Sequence, residues 1–357
     1  MLSPNTNAIT SQVTSDYRVN NYLMAWAHTL LNTTLSPLDP KPNWFDNVAT
    51  ELTATKTKTD EWLNKEFPDI AATLPQTLIS YANLFEAAAG ELVPLVVGKN
   101  PTGSDREAVA ELLEALHAAA VTHHFRVRGL QNKVIDFATL AQNSSKKMVE
   151  HAKEVKKTIG AADKELLALQ GRIAELQQRL GITTTEAKHS MTGAAMTGAS
   201  ITMTMLAFTV GAAAFPIVGL AGAIIGIGIN AAKQAAESKE VLALVREIGE
   251  LRLKLNGQQF QLAALETIAK SFENLSDVCV EALTSMEGTV HHWDDIVSNL
   301  AAAQEAVAQP GVDLTRISAF KELPAAAKSW ATIGERARKI QGSVMKVGET
   351  IVIGSAA

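Results

Sequence analysis

The side chains with the strongest chemistry in this chain are few, and their spacing is wrong for a catalyst. His123-His124 and His291-His292 are adjacent pairs. Zinc ligands on a helix favour i,i+4 spacing, so that both rings face one ion, whereas sequence neighbours point about 100° apart. A bridge between two helices is the one metal arrangement these histidines permit. No CxxC, HExxH or Ser-His-Asp constellation is present. Asp294-Asp295 beside Trp293 reads as a polar face next to a core aromatic. Cys279 is the only cysteine, which rules out an internal disulfide. It falls at an apolar heptad position, where a buried, inert thiol is expected. The expectation is a protein that is not an enzyme and carries no metal or cofactor.

The remaining chemistry is that of transfer from water to lipid. From His189 to Ala232, 44 residues run without Asp, Glu, Lys or Arg, in a chain that is 19% charged. One membrane pass needs about 20 apolar residues, so the run has the length of two. Pro216 divides it: lacking a backbone donor and clashing with the preceding turn, it stops a helix. Two helical arms are expected, Ser190 to Ala214 and Ile217 to Ala232. The lipid-directed set is Met203, Leu206, Phe208, Val210, Phe215, Pro216, Ile217, Val218, Leu220, Ile224, Ile225, Ile227 and Ile229. In the first arm Thr197, Ser200, Thr204 and Gly211 fall on one helix face, fit to line an aqueous lumen or pack against a neighbour. In the second, Gly222 and Gly226 form a small-xxx-small pair. The glycines do not make a phosphate loop, because no Lys-Ser/Thr follows and no strand precedes them. The competing reading is a core hairpin of a large soluble protein, which would need wrapping on every side.

The elements that must carry this hairpin are helical. Apolar or small residues recur with alternating spacings of four and three from Met148 through Ala152, Val155, Ile159, Ala162, Leu166, Leu169, Ile173 and Leu176 to Leu180, a heptad seam. A capping box at Ser104–Glu107 starts this helix, which would run about 115 Å to Leu180. A second seam runs from Leu244 to Leu300 and stops before Gln309-Pro310-Gly311. A third joins Leu323, Trp330, Ile340, Val344, Val347 and Ile351. Helices are also expected over 6–35, 43–67 and 76–97, with breaks at Pro68, Pro75 and Pro94. No strand run stands out. The fold expected is all-α: an elongated bundle of five or six helices with a hydrophobic hairpin head at one end. Residues 1–185 and 236–357 form the tail and 186–235 the head. Gly181-Ile182-Thr183-Thr184-Thr185 is a poor helix segment just ahead of the run. Gly181, Thr183, Thr184 and Thr185 are hinge candidates, with a tolerated kink as the alternative.

Composition agrees. Hydrophobic residues make up 47% and aromatics only 5%, which suits close-packed helices. A net charge of −5 gives no basis for nucleic-acid binding. Residues 1–20 lack a basic start followed by an apolar run, so no N-terminal signal peptide is recognisable.

A helical rod that brackets an apolar hairpin resembles the cytolysin A superfamily of α-pore-forming toxins. Its two hydrophobic arms are similar to the B component of tripartite haemolysins of the haemolysin BL and non-haemolytic enterotoxin type. The resemblance covers nearly the whole chain as architecture and rests on 190–232 between the two seams. It implies a secreted protein, exported by another route or read here from a mature terminus. It further implies a head that is hidden at first, then extended into a target-cell bilayer, with oligomerisation and sister components as partners. The alternatives are a single-component cytolysin and a constitutively membrane-anchored coiled-coil scaffold or sensor. A colicin-type channel, a globule of short helices, does not fit the long seams.

Overall fold

The structure, a computed structural model, describes residues 2–33, 41, 43–96, 102–159, 164–210, 213–221, 237–255, 257–343 and 345–355. Its accessible surface is 16737 Å², against roughly 14,000 Å² for a compact monomer of this mass. That excess is the mark of an elongated shape, and the architecture is the expected helical bundle.

Helix α1 (Thr6–Asn32) is capped by Asn5, whose side chain accepts from the Ala8 N–H. Helix α2 (Phe45–Glu61) passes through a π-helical turn at Trp62–Glu66 into α3 (Phe67–Val96). The expected break at Pro68 is therefore absent. The wider π turn directly before it accommodates the missing backbone donor, and Pro75 and Pro94 lie inside α3. Helix α4 (Gly103–Ile159) is started by a reciprocal cap two residues earlier than expected. The Thr102 N–H donates to Asp105 Oδ2 (2.7 Å) and the Asp105 N–H to Thr102 Oγ1 (3.3 Å). After α4 come α5 (Lys164–Thr197), α6 (Lys239–Lys254), α7 (Gly257–Ala308), the short α8 (Ser318–Lys321) and α9 (Leu323–Gly342).

Helices α4 and α7 form the long antiparallel spine. Arg106 donates to the Val307 carbonyl near one end, His124 meets Asp294 midway, and Lys156 meets Glu266 (3.3 Å) near the other. Each seam is divided, however. The 77 residues expected as one helix are α4 and α5, and the second seam is α6 and α7. Glu266 receives both Lys156 from the end of α4 and Gln170 from the start of α5. The far end of α5 lies at Ser343, whose carbonyl accepts from Tyr17 of α1. Helix α5 thus turns back along the bundle, and α6 pairs with it through Arg172 and Glu247 (2.8 Å).

One continuous apolar core fills the bundle. Its densest node joins α3, α7 and α9: the Tyr81 ring centroid lies 4.6 Å from that of Trp330 and 5.4 Å from that of Trp293. All three are almost fully buried.

Within this helical frame lies one small sheet that the periodicity did not reveal. Strands β1 (Ile201–Val210), β2 (Ala213–Ala221) and β3 (Met345–Ser355) are ordered β2-β1-β3. The pair β1–β2 is antiparallel and β1–β3 parallel. The C-terminal seam ends with α9 at Gly342. Beyond it Thr350-Ile351-Val352-Ile353 is a β-branched run better suited to a strand.

Candidate functional site

The candidate site is the segment that follows α5. Met191, Ala194 and Ala195 are buried, and Ser343 Oγ donates to the Ala194 carbonyl at 3.0 Å, which fixes the end of α5 against that of α9. The helix stops at Gly198. That residue has φ +81°, and its N–H reaches back to the Ala194 carbonyl at 2.7 Å, a glycine C-cap. A Cβ there would meet the Lys339 carbonyl oxygen at 3.4 Å. Three residues later the chain enters β1, where Ile201, Thr202, Thr204, Thr209 and Val210 are β-branched.

The first arm is therefore not a helix from 190 to 214. It is the last turns of α5, a connector and a strand. Thr197 sits on α5 and donates to the Gly193 carbonyl (3.0 Å), Ser200 is exposed in the connector, and Thr204 lies in β1 opposite Ala221. The three do not share a helix face, because Gly198 ends the helix between them. Met203, Leu206, Phe208 and Val210 are in β1; Phe215, Pro216, Ile217, Val218 and Leu220 are in β2. Pro216 does not divide the arms. It lies within β2, an edge strand of the sheet, where a missing N–H is tolerated. It is close to the register shift between Leu206 and Phe208. Gly211, Gly222, Ile224, Ile225, Gly226, Ile227 and Ile229 lie outside the described residues.

Strand β1 is paired on both sides. Leu206 opposes Gly219 and Phe208 opposes Phe215 on one edge; on the other, Ile201 opposes Met345, Leu206 opposes Ile351 and Val210 opposes Ser355. The sheet is not free in solvent, since β2 packs on α5, α1 and α7 and α6 contacts β1 and β3. The hinge candidates Gly181, Thr183, Thr184 and Thr185 fall inside α5, whose backbone is helical throughout. Among the described residues no helix is long and apolar enough to cross a membrane.

The side chains singled out for ordinary chemistry take their places in the bundle. His123 packs its ring against Trp293 and Tyr81, and burial, with Arg126 nearby, lowers its pKa. His124 Nε2 lies 2.9 Å from Asp294 Oδ1, an ion-pair distance without hydrogen-bond alignment. His291 stands 3.8 Å from Asp295. Cys279 is buried and its thiol is pushed up to about 12 by desolvation, so it stays protonated and unreactive. No group of three or more His, Cys, Asp or Glu among the described residues could hold a metal.

The strap β3 was missed from the sequence because Val344, Val347 and Ile351 continue the spacing of the α9 seam. The signal available was the Thr-Ile-Val-Ile run between Gly348 and Gly354.

This arrangement of rod, folded-back α5 and apolar strand hairpin has close counterparts. Residues 22–181 match the Bacillus haemolytic enterotoxin (HBL) family. No curated protein sequence matches the chain. Among solved structures, Motility Associated Killing Factor B from Vibrio cholerae superposes with a TM-score of 0.80 at 18% identity, over 99% of this chain and 97% of that one. The B component of the tripartite α-pore-forming toxin Smh from Serratia marcescens gives 0.71 at 14%, over 97% and 94%. The HblL1 toxin component of Bacillus cereus gives 0.69 at 17%, over 98% and 99%. At these identities the structures share the fold. The resemblance to haemolysin BL-type toxins drawn from the sequence is borne out over 22–181 by the HBL-family match and, as a fold, by these neighbours.

Proposed function

We propose that this chain is one component of a pore-forming toxin, with 190–232 as its membrane-entering segment and sister components as partners. The observation that supports the reading best is the apolar hairpin β1–β2, free of formal charge and held to the bundle by the C-terminal strand β3. A bilayer interior demands that every backbone donor and acceptor be satisfied within the protein. A three-stranded sheet whose outer strands β2 and β3 pair on one side only among the described residues does not meet that demand. Entry into lipid therefore requires release of β3 and refolding of the hairpin, into helices or by closure with other copies. Strands serve the hidden form and helices, as the sequence suggests, the inserted one. The drive is apolar transfer, roughly 1.5–3 kcal/mol for each large side chain fully moved out of water. That is an upper bound, since the folded state already shields part of the surface. In the inserted state Thr197, Ser200 and Thr204 would come onto one face, towards a lumen or a neighbouring subunit.

A tether decides between conditional exposure and permanent anchoring. In a Thr202→Cys/Lys346→Cys variant the new thiols face each other across β1 and β3, and the native Cys279 is buried. When oxidised, this variant should stay in the aqueous phase and fail to float with liposomes; reduction should restore flotation. Equal flotation in both states rules out release of β3 as the entry step. Recovery of the wild type only with detergent favours the anchored scaffold.

A further inference from the structure

A cavity of about 460 Å³ opens between α1, α3 and the junction of α9 with β3, within the roughly 300–1,000 Å³ of small-molecule pockets. Its walls are mostly apolar, from Met24, Leu74, Leu78 and Ile340. Two groups on successive turns of α1 break that character. Asp16, 3% exposed, has Oδ1 accepting from Ser285 Oγ (2.6 Å) and Gln12 Nε2 (3.0 Å) and Oδ2 accepting from Thr289 Oγ1. All of these donors are neutral. Asn20, 5% exposed, has an Oδ1 with no hydrogen-bond partner. Among the described wall residues Asp16 is the only charged one. Tyr17, the other titratable group, donates to the Ser343 carbonyl and stays neutral, its hydroxyl pushed up to about 12 by burial.

A buried carboxylate with no counter-charge is costly, and an orphaned buried acceptor adds to that cost. Both deficits call for a cation carrying several N–H donors, on a body able to fill apolar walls. We propose that this cavity is a binding site for a single-chain primary amine, its ammonium group shared between Asp16 and Asn20 and its chain lying against α3 and the end of α9. A primary ammonium offers three donors and no acceptor, which matches a wall that offers acceptors. Exposed Ala71, Ala72 and Gln341 form the mouth. Of the wall residues, Ser343 caps α9 and Met345 begins β3, so occupancy would bear on the start of that strand. The site stands whether or not the hairpin enters membranes.

Calorimetric titration of the full chain with decylammonium, decanol and decanoate, all below micelle formation, tests this. At pH 7.5 the amine should bind one to one and about tenfold more tightly than the alcohol, as a charge-assisted hydrogen bond implies, and decanoate should not bind. The preference should shrink several-fold at pH 5, because Asp16, raised to about 6 by burial, gains a proton while the amine keeps its own. Asp16→Asn should abolish it. Ala71→Trp, which closes the mouth and leaves Asp16 in place, should abolish binding and serves if the first variant does not fold. Equal affinity for amine and alcohol overturns the proposal, as does amine binding that survives Ala71→Trp. Heat-silent titrations with all three ligands would mean that water alone fills the cavity, and would overturn it too.

Discussion

The α4–α7 spine and the β1–β2 hairpin are both rich in apolar residues, yet only the spine declares its structure. In α4 and α7 charged residues occupy the outer positions and apolar ones recur at four and three. The pattern therefore specifies both the helix and the face it buries. Met148, Ala152, Val155, Leu262, Leu265, Phe272, Met286 and Trp293 all end up buried. In 201–221 no charge marks an outer face, so no period is imposed, and the neighbours decide. With β3 available on one edge and β2 on the other, a β-branched run pairs as strand. A segment with weak internal preference takes its structure from its surroundings, whereas the spine is committed.

The comparison breaks first, and by the largest margin, at the aromatic node. Trp293→Ala empties a site that is 1% exposed and removes the ring contacts to Tyr81 and His123. A loss of about 3–5 kcal/mol is expected, read as a fall in the denaturation midpoint of the whole bundle. If only a local transition shifts, the bundle is not one cooperative core and its contrast with the hairpin is overdrawn.

Asp16 is the next test, because it is a charge on α1 buried against the α7 half of the spine, where none is expected. Its folded-state pKa, raised from 3.8 to about 6, means that the folded protein binds the proton more tightly than the unfolded chain. This group therefore destabilises the fold above about pH 6, and stability is regained as pH falls from there towards 3.8. The full span is worth at most about 3 kcal/mol. His28, His123 and His292, held below 6.5 by burial, act oppositely in the same window: their stability is lost as pH falls. The readout is thus the difference between wild type and Asp16→Asn in thermal melts at pH 7.5 and pH 5. That gap should change by about 2 °C in favour of the wild type at pH 5, from about 1.4 kcal/mol of the full span. A gap independent of pH would mean that Asp16 is solvated and the cavity is open to bulk water.

These contrasts also say what could be read from the sequence. Seam positions are fixed by one-sided burial, so helices, core residues and the all-α class were legible. The α4/α5 and α6/α7 divisions were not, because a heptad seam reports a face and not the direction of the next helix. Thus Lys156 and Gln170, fourteen residues apart, meet the same Glu266 with nothing in their spacing to announce it. Pro216 misled because proline stops a helix and is tolerated in an edge strand, and the sequence does not say which context holds. The partner strand β3 begins 135 residues after β1 ends. Parallel pairing at that separation leaves no local mark. Asp16 and Asn20 escaped notice because one acidic and one amide residue on a helix look like a solvated face until the neighbouring helices, α7 with Ser285 and Thr289 at Asp16 among them, cover them.

The smallest expected change in stability bears most directly on how the two regions are joined. Helix α5 continues through Gly181-Ile182-Thr183-Thr184-Thr185, although glycine and β-branched residues make this its weakest helical stretch. Gly181→Ala should stabilise the helix by about 0.5–1 kcal/mol. Gly171→Ala on the same helix, exposed and with open space around the added Cβ, should do the same and supplies the control. If the hairpin leaves the bundle by unwinding 181–185, the Gly181 variant alone must overcome the added helix stability. Its rate of liposome binding should fall about two- to fivefold, while the Gly171 variant keeps the wild-type rate. Equal slowing in both variants would mean that α5 unfolds as a whole before release. No slowing in either would leave 181–185 as a tolerated weak turn in a rigid arm, and the pivot would then have to lie at Gly198, where the helix ends and the strands begin.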